Sequence, residues 1–190
     1  MTKKIGVLAL QGAVTEHLQA LTKLGVTATT VKSPADLDGL NGLIIPGEES
    51  TAISRLIREQ QLEEPLRQFY ASGKAIFGTC AGLILCGTDS SPAPDELRLG
   101  FIDIAFERNG FGRQVDSFEV LLPFECLAEP VEAVFIRAPY ICSVGDNVRV
   151  LASIDGKIVA AENDRVLITA FHPELTDDLS VFEYFLKKVG

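Results

Sequence analysis

Two stretches of this sequence carry residue types that covalent chemistry can use. The first is Gly78-Thr79-Cys80-Ala81-Gly82, where a cysteine follows a short apolar run and precedes an apolar helical pattern. A nucleophile on such a strand-to-helix turn is presented at a sheet edge, and glycines two residues to either side let neighbouring backbone pass close by. The helix N-terminus favours a thiolate and aims the Ala81 N–H at the place where an oxyanion would form. A small residue filling a tight turn is the other reading of Cys80. The second stretch is His172-Pro173-Glu174. Residues i and i+2 of an extended segment face the same way, and proline keeps the residue before it extended. Glu174 is therefore expected to reach the His172 imidazole, fix its tautomer and stabilise its cation. An isolated histidine at a strand end reads as structural. Beside a carboxylate, in a chain that also presents a cysteine, it reads as the acid–base member of a Cys-His-Glu triad.

Other candidates are weaker. Pro46-Gly47-Glu48-Glu49-Ser50 joins a buried strand to a helix, with Ser50 expected as the N-cap. Such loops gather at the C-terminal edge of a doubly wound sheet, where ligands bind, though an ordinary capped turn fits equally well. Arg108 and Arg137 lie at the ends of β-type runs, where each could grip a carboxylate of the protein or of a substrate. His17 falls on the apolar stripe of the first helix and is expected to pack or to meet an interface. Cys86 reads as core, and Cys126 and Cys142 have no comparable context.

The elements that must position these residues are legible as patterns. Residues 4–10 form a nearly continuous apolar run, the mark of a strand buried on both faces. A helical pattern to residue 24, a β-branched run at 26–31 and a short apolar run at 42–45 follow, predicting a βαβ unit on a parallel sheet. Helical pieces at 50–57 and 62–70, a strand at 75–77 and a helix through 85 continue the alternation. Residues 88–98 read as a polar, Pro-rich loop. The second half changes to short β-type runs at 100–107, 117–122, 133–137, 148–153, 157–161 and 165–171. Asp155-Gly156 and Asn163-Asp164 are hairpin-grade turns between the last three. An amphipathic helix at 177–189 closes the pattern. The expected fold is α/β, a mostly parallel central sheet flanked by helices with additional antiparallel strands, in one domain over 1–190.

Composition limits the alternatives. The 190 residues carry 17 Lys+Arg against 26 Asp+Glu, a net charge of −9, without a basic cluster. No nucleic-acid or anionic-membrane partner is expected. No apolar run approaches the ~18 residues of a membrane span, and the start of the chain lacks the apolar core of a signal peptide, so a cytoplasmic location is expected. Four cysteines and two histidines show no metal-ligand spacing, so no metal is expected, and disulfides are the weaker reading.

Taken in order, LALQGAVTEH (8–17), PGEES (46–50), FGTCAGLIL (77–85), ERNGFGRQVDSFE (107–119), VFIRAP (134–139) and FHPELT (171–176) resemble a known family. It is the glutaminase subunit of the two-protein pyridoxal 5'-phosphate synthase, a class I, triad-type glutamine amidotransferase with flavodoxin-like layering. The resemblance implies that Cys80 attacks the side-chain amide of L-glutamine, with His172 and Glu174 as its partners. It implies an oxyanion hole made by the N–H groups of Ala81 and Glu48. It also implies glutamine contacts from Glu48, Glu49, Ser50, Arg108, Ile136 and Arg137. It implies no cofactor on this subunit, and ammonia channelled into a synthase partner that condenses it with pentose and triose phosphates.

Two positions depart from the family. Glu48 stands where a second glycine is usual, in a loop whose peptide, as the resemblance implies, flips when the partner docks. If residue 48 must take positive φ, a slower or more partner-dependent glutaminase is expected. Tyr140 stands where a histidine is common. The alternatives are a subunit serving another synthase, a free-standing cysteine hydrolase of this fold, or a mainly binding subunit weakened by Glu48.

Overall fold

A strand covered on both faces needs an almost unbroken apolar run, and β1 (Lys4–Leu8) supplies one, with four of its five residues buried. The computed structural model describes residues 2–88, 96–108, 110–111 and 117–190. After β1 come α1 (Val14–Lys23), β2 (Thr27–Val31), a 3-10 turn (Pro34–Leu37) and β3 (Gly42–Ile45). Then follow α2 (Ser50–Glu59), α3 (Glu63–Ala71), β4 (Ala75–Thr79) and α4 (Ala81–Cys86). The second half adds β5 (Ile104–Glu107), β6 (Ser117–Leu122), β7 (Val131–Ile136), β8 (Tyr140–Val144), β9 (Arg149–Ile154), β10 (Lys157–Glu162) and β11 (Val166–Thr169). A second 3-10 turn (Pro173–Leu175) and α5 (Ser180–Lys188) complete it.

The central sheet has nine strands in the order β2-β1-β3-β4-β11-β10-β8-β5, with β9 also paired to β10. From β2 to β11 all pairs are parallel, and from β11 onward they are antiparallel. β6 and β7 form a separate antiparallel pair. The chain runs from β1 outward to β2 and then back across β1 to β3, so the sheet order reverses beside β1. Ligand crevices form at the strand C-termini next to such a reversal.

The βαβ start and the Asp155 and Asn163 hairpins follow the sequence pattern. β8 is not among the expected runs: Tyr140–Val144 carries the strand formers Tyr140, Ile141 and Val144 but no apolar alternation, and its ladder partners β5 and β10 hold it in the sheet. α5 begins at Ser180 rather than 177, because Asp178 accepts hydrogen bonds from the Ser180 and Glu132 N–H groups at 3.0 Å each. Residues 89–95 of the Pro-rich loop, and 109 and 112–116 of the ERNGFGRQVDSFE stretch, lie outside the described residues.

The core centres on β4. Phe77 meets Phe185 at 5.3 Å and Phe182 at 6.0 Å between ring centroids, which docks α5 on the sheet. Each such ring contributes ~1.5–3 kcal/mol by leaving water. Among the described residues no helix is long and apolar enough to cross a membrane.

Candidate active site

Four loops meet at the C-terminal ends of the parallel strands: 9–13 after β1, 46–49 after β3, Cys80 after β4, and 170–172 after β11. Cys80 itself sits in a strained turn at φ 53° and ψ −106°, outside the regions that L-residues favour. Its backbone N–H is held by the Thr169 carbonyl at 2.8 Å. The flanking glycines are there for space. A Cβ on Gly82 would stand 1.8 Å from the Ile45 carbonyl oxygen, and one on Gly78 would stand 2.6 Å from that of Gly82.

His172 is fixed from the β7 side, where its N–H donates to the Val134 carbonyl at 2.8 Å. Its Nδ1 lies 2.9 Å from Glu174 Oε2, and both side chains are buried. The contact forms as expected, but by a different backbone. Only His172 is extended, while Pro173–Leu175 is a 3-10 turn that swings Glu174 round beneath the ring. Burial alone would lower the His172 pKa. The Cys80 sulfur, as a thiolate accepting from the ring, and the Glu174 carboxylate, together with their charges, override it and push the pKa up to about 10. Burial opposes ionisation of Glu174, yet its hydrogen bond with His172 and the electrostatic influence of the His17 and His172 rings hold its pKa below the usual range. Cys80, His172 and Glu174 thus meet in one cluster, with the imidazole bonded to Glu174 on one side and acted on by the Cys80 sulfur on the other. Cys86 is core, and burial pushes its thiol up to about 12.

Beside Cys80 lies a cleft of about 250 Å³, lined by residues 48–50, by Cys80, Ala81 and Ile84, and by Arg108, Arg137 and Pro139. A larger hollow of about 550 Å³ lies between 123–130 and 150–153 and holds none of the candidate residues. Ile136, at the end of β7, is 39% exposed and does not line the cleft. Arg137 does, at a positive φ of 45° that turns it away from the β7 ladder. It pairs with no carboxylate among the described residues.

The loop after β3 corrects one expectation. The N-cap of α2 is Glu49, whose Oε1 accepts from Thr51 N–H at 3.0 Å and Oε2 from Ala52 N–H at 2.9 Å. Ser50 cannot cap because its hydroxyl is taken elsewhere: it accepts from Arg108 Nη1 at 3.0 Å and hydrogen-bonds to Glu96. Glu96 is a residue that sequence reasoning misses. Its buried carboxylate meets Arg108 Nη2 at 2.6 Å, Arg98 Nη1 at 2.9 Å and the Thr51 hydroxyl at 2.7 Å. Burial would raise its pKa, but these contacts pull it down to about 2. No pattern marks a lone glutamate next to Leu97 as the anchor of Arg108 and the start of α2, since those contacts are wholly tertiary.

The Ala81 N–H, the expected oxyanion donor, is occupied at rest. It points at the Gly47 carbonyl at 3.4 Å. Gly47 has φ 154°, and a Cβ there would strike Ile53 at 2.0 Å. Glu48 keeps a negative φ, so the resting loop carries no left-handed strain at that position. The loop also leans on the segment after β1. Gln11 Oε1 accepts from Glu49 N–H at 2.9 Å, and a Cβ on Gly12 would come within 2.8 Å of Gly47 Cα. Tyr140 packs beside Phe111, 6.4 Å between centroids, and close over Gly110.

Comparison with known proteins gives a consistent picture. The SNO glutamine amidotransferase family model matches residues 7–190. The pyridoxal 5'-phosphate synthase subunit PdxT of Carboxydothermus hydrogenoformans is 52% identical over 187 residues, covering 98% of this chain and 97% of that one. The protein of the same description from Listeria monocytogenes serotype 4b is 50% identical over 188 residues, covering 98% and 99%. Among solved structures, a glutamine amidotransferase superposes with a TM-score of 0.92 at 44% identity, covering 97% of each chain. A chain of PurLQS from Thermotoga maritima shares the fold, with a TM-score of 0.68 at 16% identity over 98% and 99%.

Proposed function

Since this chain belongs to the SNO glutamine amidotransferase family, we propose that Cys80, His172 and Glu174 are the nucleophile, the acid–base and the orienting carboxylate of its reaction. The chain is a glutaminase that hydrolyses L-glutamine to L-glutamate and ammonia, and a synthase subunit uses that ammonia to make pyridoxal 5'-phosphate. The observation that carries the residue assignment is the Cys80–His172–Glu174 cluster beside the cleft.

In this mechanism the Cys80 thiolate forms a bond to the side-chain amide carbon of glutamine, and the carbonyl π electrons move onto oxygen. The N–H groups of Ala81 and Glu48 receive that oxyanion in this mechanism once the 47–48 peptide rotates. A trans peptide carries its C=O and N–H on opposite edges. Turning the Gly47 carbonyl away from Ala81 therefore turns the Glu48 N–H inward. Protonated His172 then gives its proton to the leaving nitrogen, and ammonia departs as the C–N bond breaks. Neutral His172 next takes a proton from water, whose oxygen attacks the thioester and releases glutamate and the thiolate. Glu174 keeps the ring aimed throughout and stabilises its charged form.

For the substrate, Arg137 faces the cleft with its charge uncompensated by the described residues and is the residue proposed to meet the α-carboxylate. Arg108 is already paired to Glu96, so it supplies shape and hydrogen bonds more than net charge. The side chain of Glu49 is committed to the helix cap, which leaves its backbone and Ser50 to serve the ligand. Ile136 lies outside the cleft lining and is assigned no substrate contact. Residues 1–190 act as one glutaminase domain. A nucleophilic thiol must stay reduced, which supports a cytoplasmic location.

Glutamate release by the chain assembled with its synthase partner tests the assignment. Wild type is expected to turn over and Cys80→Ala to fall to background. Activity that survives Cys80→Ala would overturn the nucleophile.

A further inference from the structure

We infer that His17 is a positioning residue for the hydrolysis, its Nε2–H facing the outer carboxylate oxygen of Glu174 and so holding the carboxylate that aims His172. The inference rests on the reading of Cys80, His172 and Glu174 as the catalytic triad.

Glu174 uses one oxygen, Oε2, for His172. The other, Oε1, is buried with no hydrogen-bond partner among the described residues. It faces His17 Nε2 at 3.6 Å. His17 is itself fully buried, and neither of its ring nitrogens has another partner among the described residues. Its ring is braced edge-on against Phe182, 5.5 Å between centroids at 73°. Two buried groups with complementary hydrogen-bonding capacity therefore face each other at the back of the triad. A movement of a few tenths of an ångström closes them into a hydrogen bond.

The charge state is decided by the surroundings. Three titratable groups act on the His17 ring: Glu174 and His172 across the contact, and Glu16 on its own helix. Burial lowers its pKa most, the two carboxylates raise it and His172 lowers it, and the result is about 4. His17 is therefore neutral near pH 7, with one N–H to give. A proton on Nε2 satisfies Glu174 Oε1. A proton on Nδ1 would instead set a lone pair against a buried carboxylate, leaving two acceptors face to face. A neutral donor also suits this place, because a second cation would compete with the His172 imidazolium for the same carboxylate.

The same stretch of chain thus supports both halves of the site. Gln11 and Gly12 hold the loop over the oxyanion position, and His17, one turn into α1, backs the carboxylate.

Imidazole ¹⁵N shifts of the wild-type protein give the direct test between pH 5 and 9. His17 is expected as a neutral ring with its proton on Nε2, and a proton on Nδ1, or a charged ring at neutral pH, would overturn the inference. In the assembled enzyme, His17→Phe keeps the packing and removes the donor. It is expected to lower kcat about tenfold, with KM within about twofold, as a buried carboxylate oxygen loses its donor. The acidic limb of kcat should move to higher pH, since Glu174 without its donor protonates more readily. His17→Gln, which restores an N–H of similar reach, is expected to recover most of the loss. Wild-type kcat in His17→Phe, or equal losses in both variants, would make His17 a packing residue only. Cys80→Ala in the same assay separates a failure of this inference from a failure of the triad.

Discussion

Replacing Glu48 by glycine should speed the assembled enzyme. At rest Glu48 has a negative φ, and the Gly47 carbonyl fills the Ala81 N–H at 3.4 Å. Clearing that donor takes a half-turn of the 47–48 peptide, which changes ψ of Gly47 and φ of Glu48 together and drives residue 48 to positive φ. A non-glycine residue there costs ~1–2 kcal/mol. If that cost stands in full in the transition state, removing it raises kcat roughly 5- to 30-fold, at ~1.4 kcal/mol per tenfold. Steady-state glutamate release with saturating synthase partner measures it, with KM expected to change little. Glu48→Ala is the control: it deletes the carboxylate but keeps the Cβ, so kcat should stay near wild type. A Glu48→Gly enzyme no faster than wild type, or a Glu48→Ala enzyme accelerated equally, would refute the backbone argument.

Three further outcomes follow from the same geometry. Cys80→Ala and Cys80→Gly should both abolish turnover, but Cys80→Gly also removes the Cβ from φ 53° and should be the more stable of the two by ~1 kcal/mol; a less stable Cys80→Gly would contradict the strain reading. Gly82→Ala puts a Cβ 1.8 Å from the Ile45 carbonyl, which should cost at least ~1–3 kcal/mol in denaturant unfolding and displace the loop after β3; wild-type stability and activity would show that the backbone contact can give. Glu96 has its pKa depressed from 4.5 to about 2 in the folded protein, so its contribution to stability is present above pH 4.5 and lost as pH falls through 2. Wild type should therefore be more stable than Glu96→Gln at neutral pH, and the gap should close over that window; a gap that persists at pH 2 would assign the difference to packing.

The parts of the site governed by local rules are open to sequence reasoning. Gly78 and Gly82 read as room for neighbouring backbone, and the distances to Gly82 and Ile45 give that reason. The parallel start and hairpin-rich second half follow from strand length and turn residues. Where tertiary contacts compete with a local preference, the pattern misleads. Ser50 has the better N-cap chemistry, but Arg108 and Glu96 claim its hydroxyl, and the longer Glu49 reaches the helix N–H groups instead. Extended alternation predicts the meeting of His172 and Glu174, and they meet through a 3-10 turn that begins at Pro173. β8 has strand-forming residues but only Ile141 buried among its five, so it lacks the alternation that marks a strand and its place is set by β5 and β10. His17 reads correctly as a packed residue, but a helical stripe says nothing of the carboxylate it faces.

The central claim concerns which sulfur reacts. Inactivating the assembled enzyme with an electrophilic glutamine analogue, and locating the adduct by peptide mass spectrometry, tests it directly. One adduct per chain on Cys80, formed in step with loss of activity and slowed by glutamine, is the expected result. Activity lost while Cys80 stays unmodified, with the label on exposed Cys126 or Cys142 instead, would contradict it.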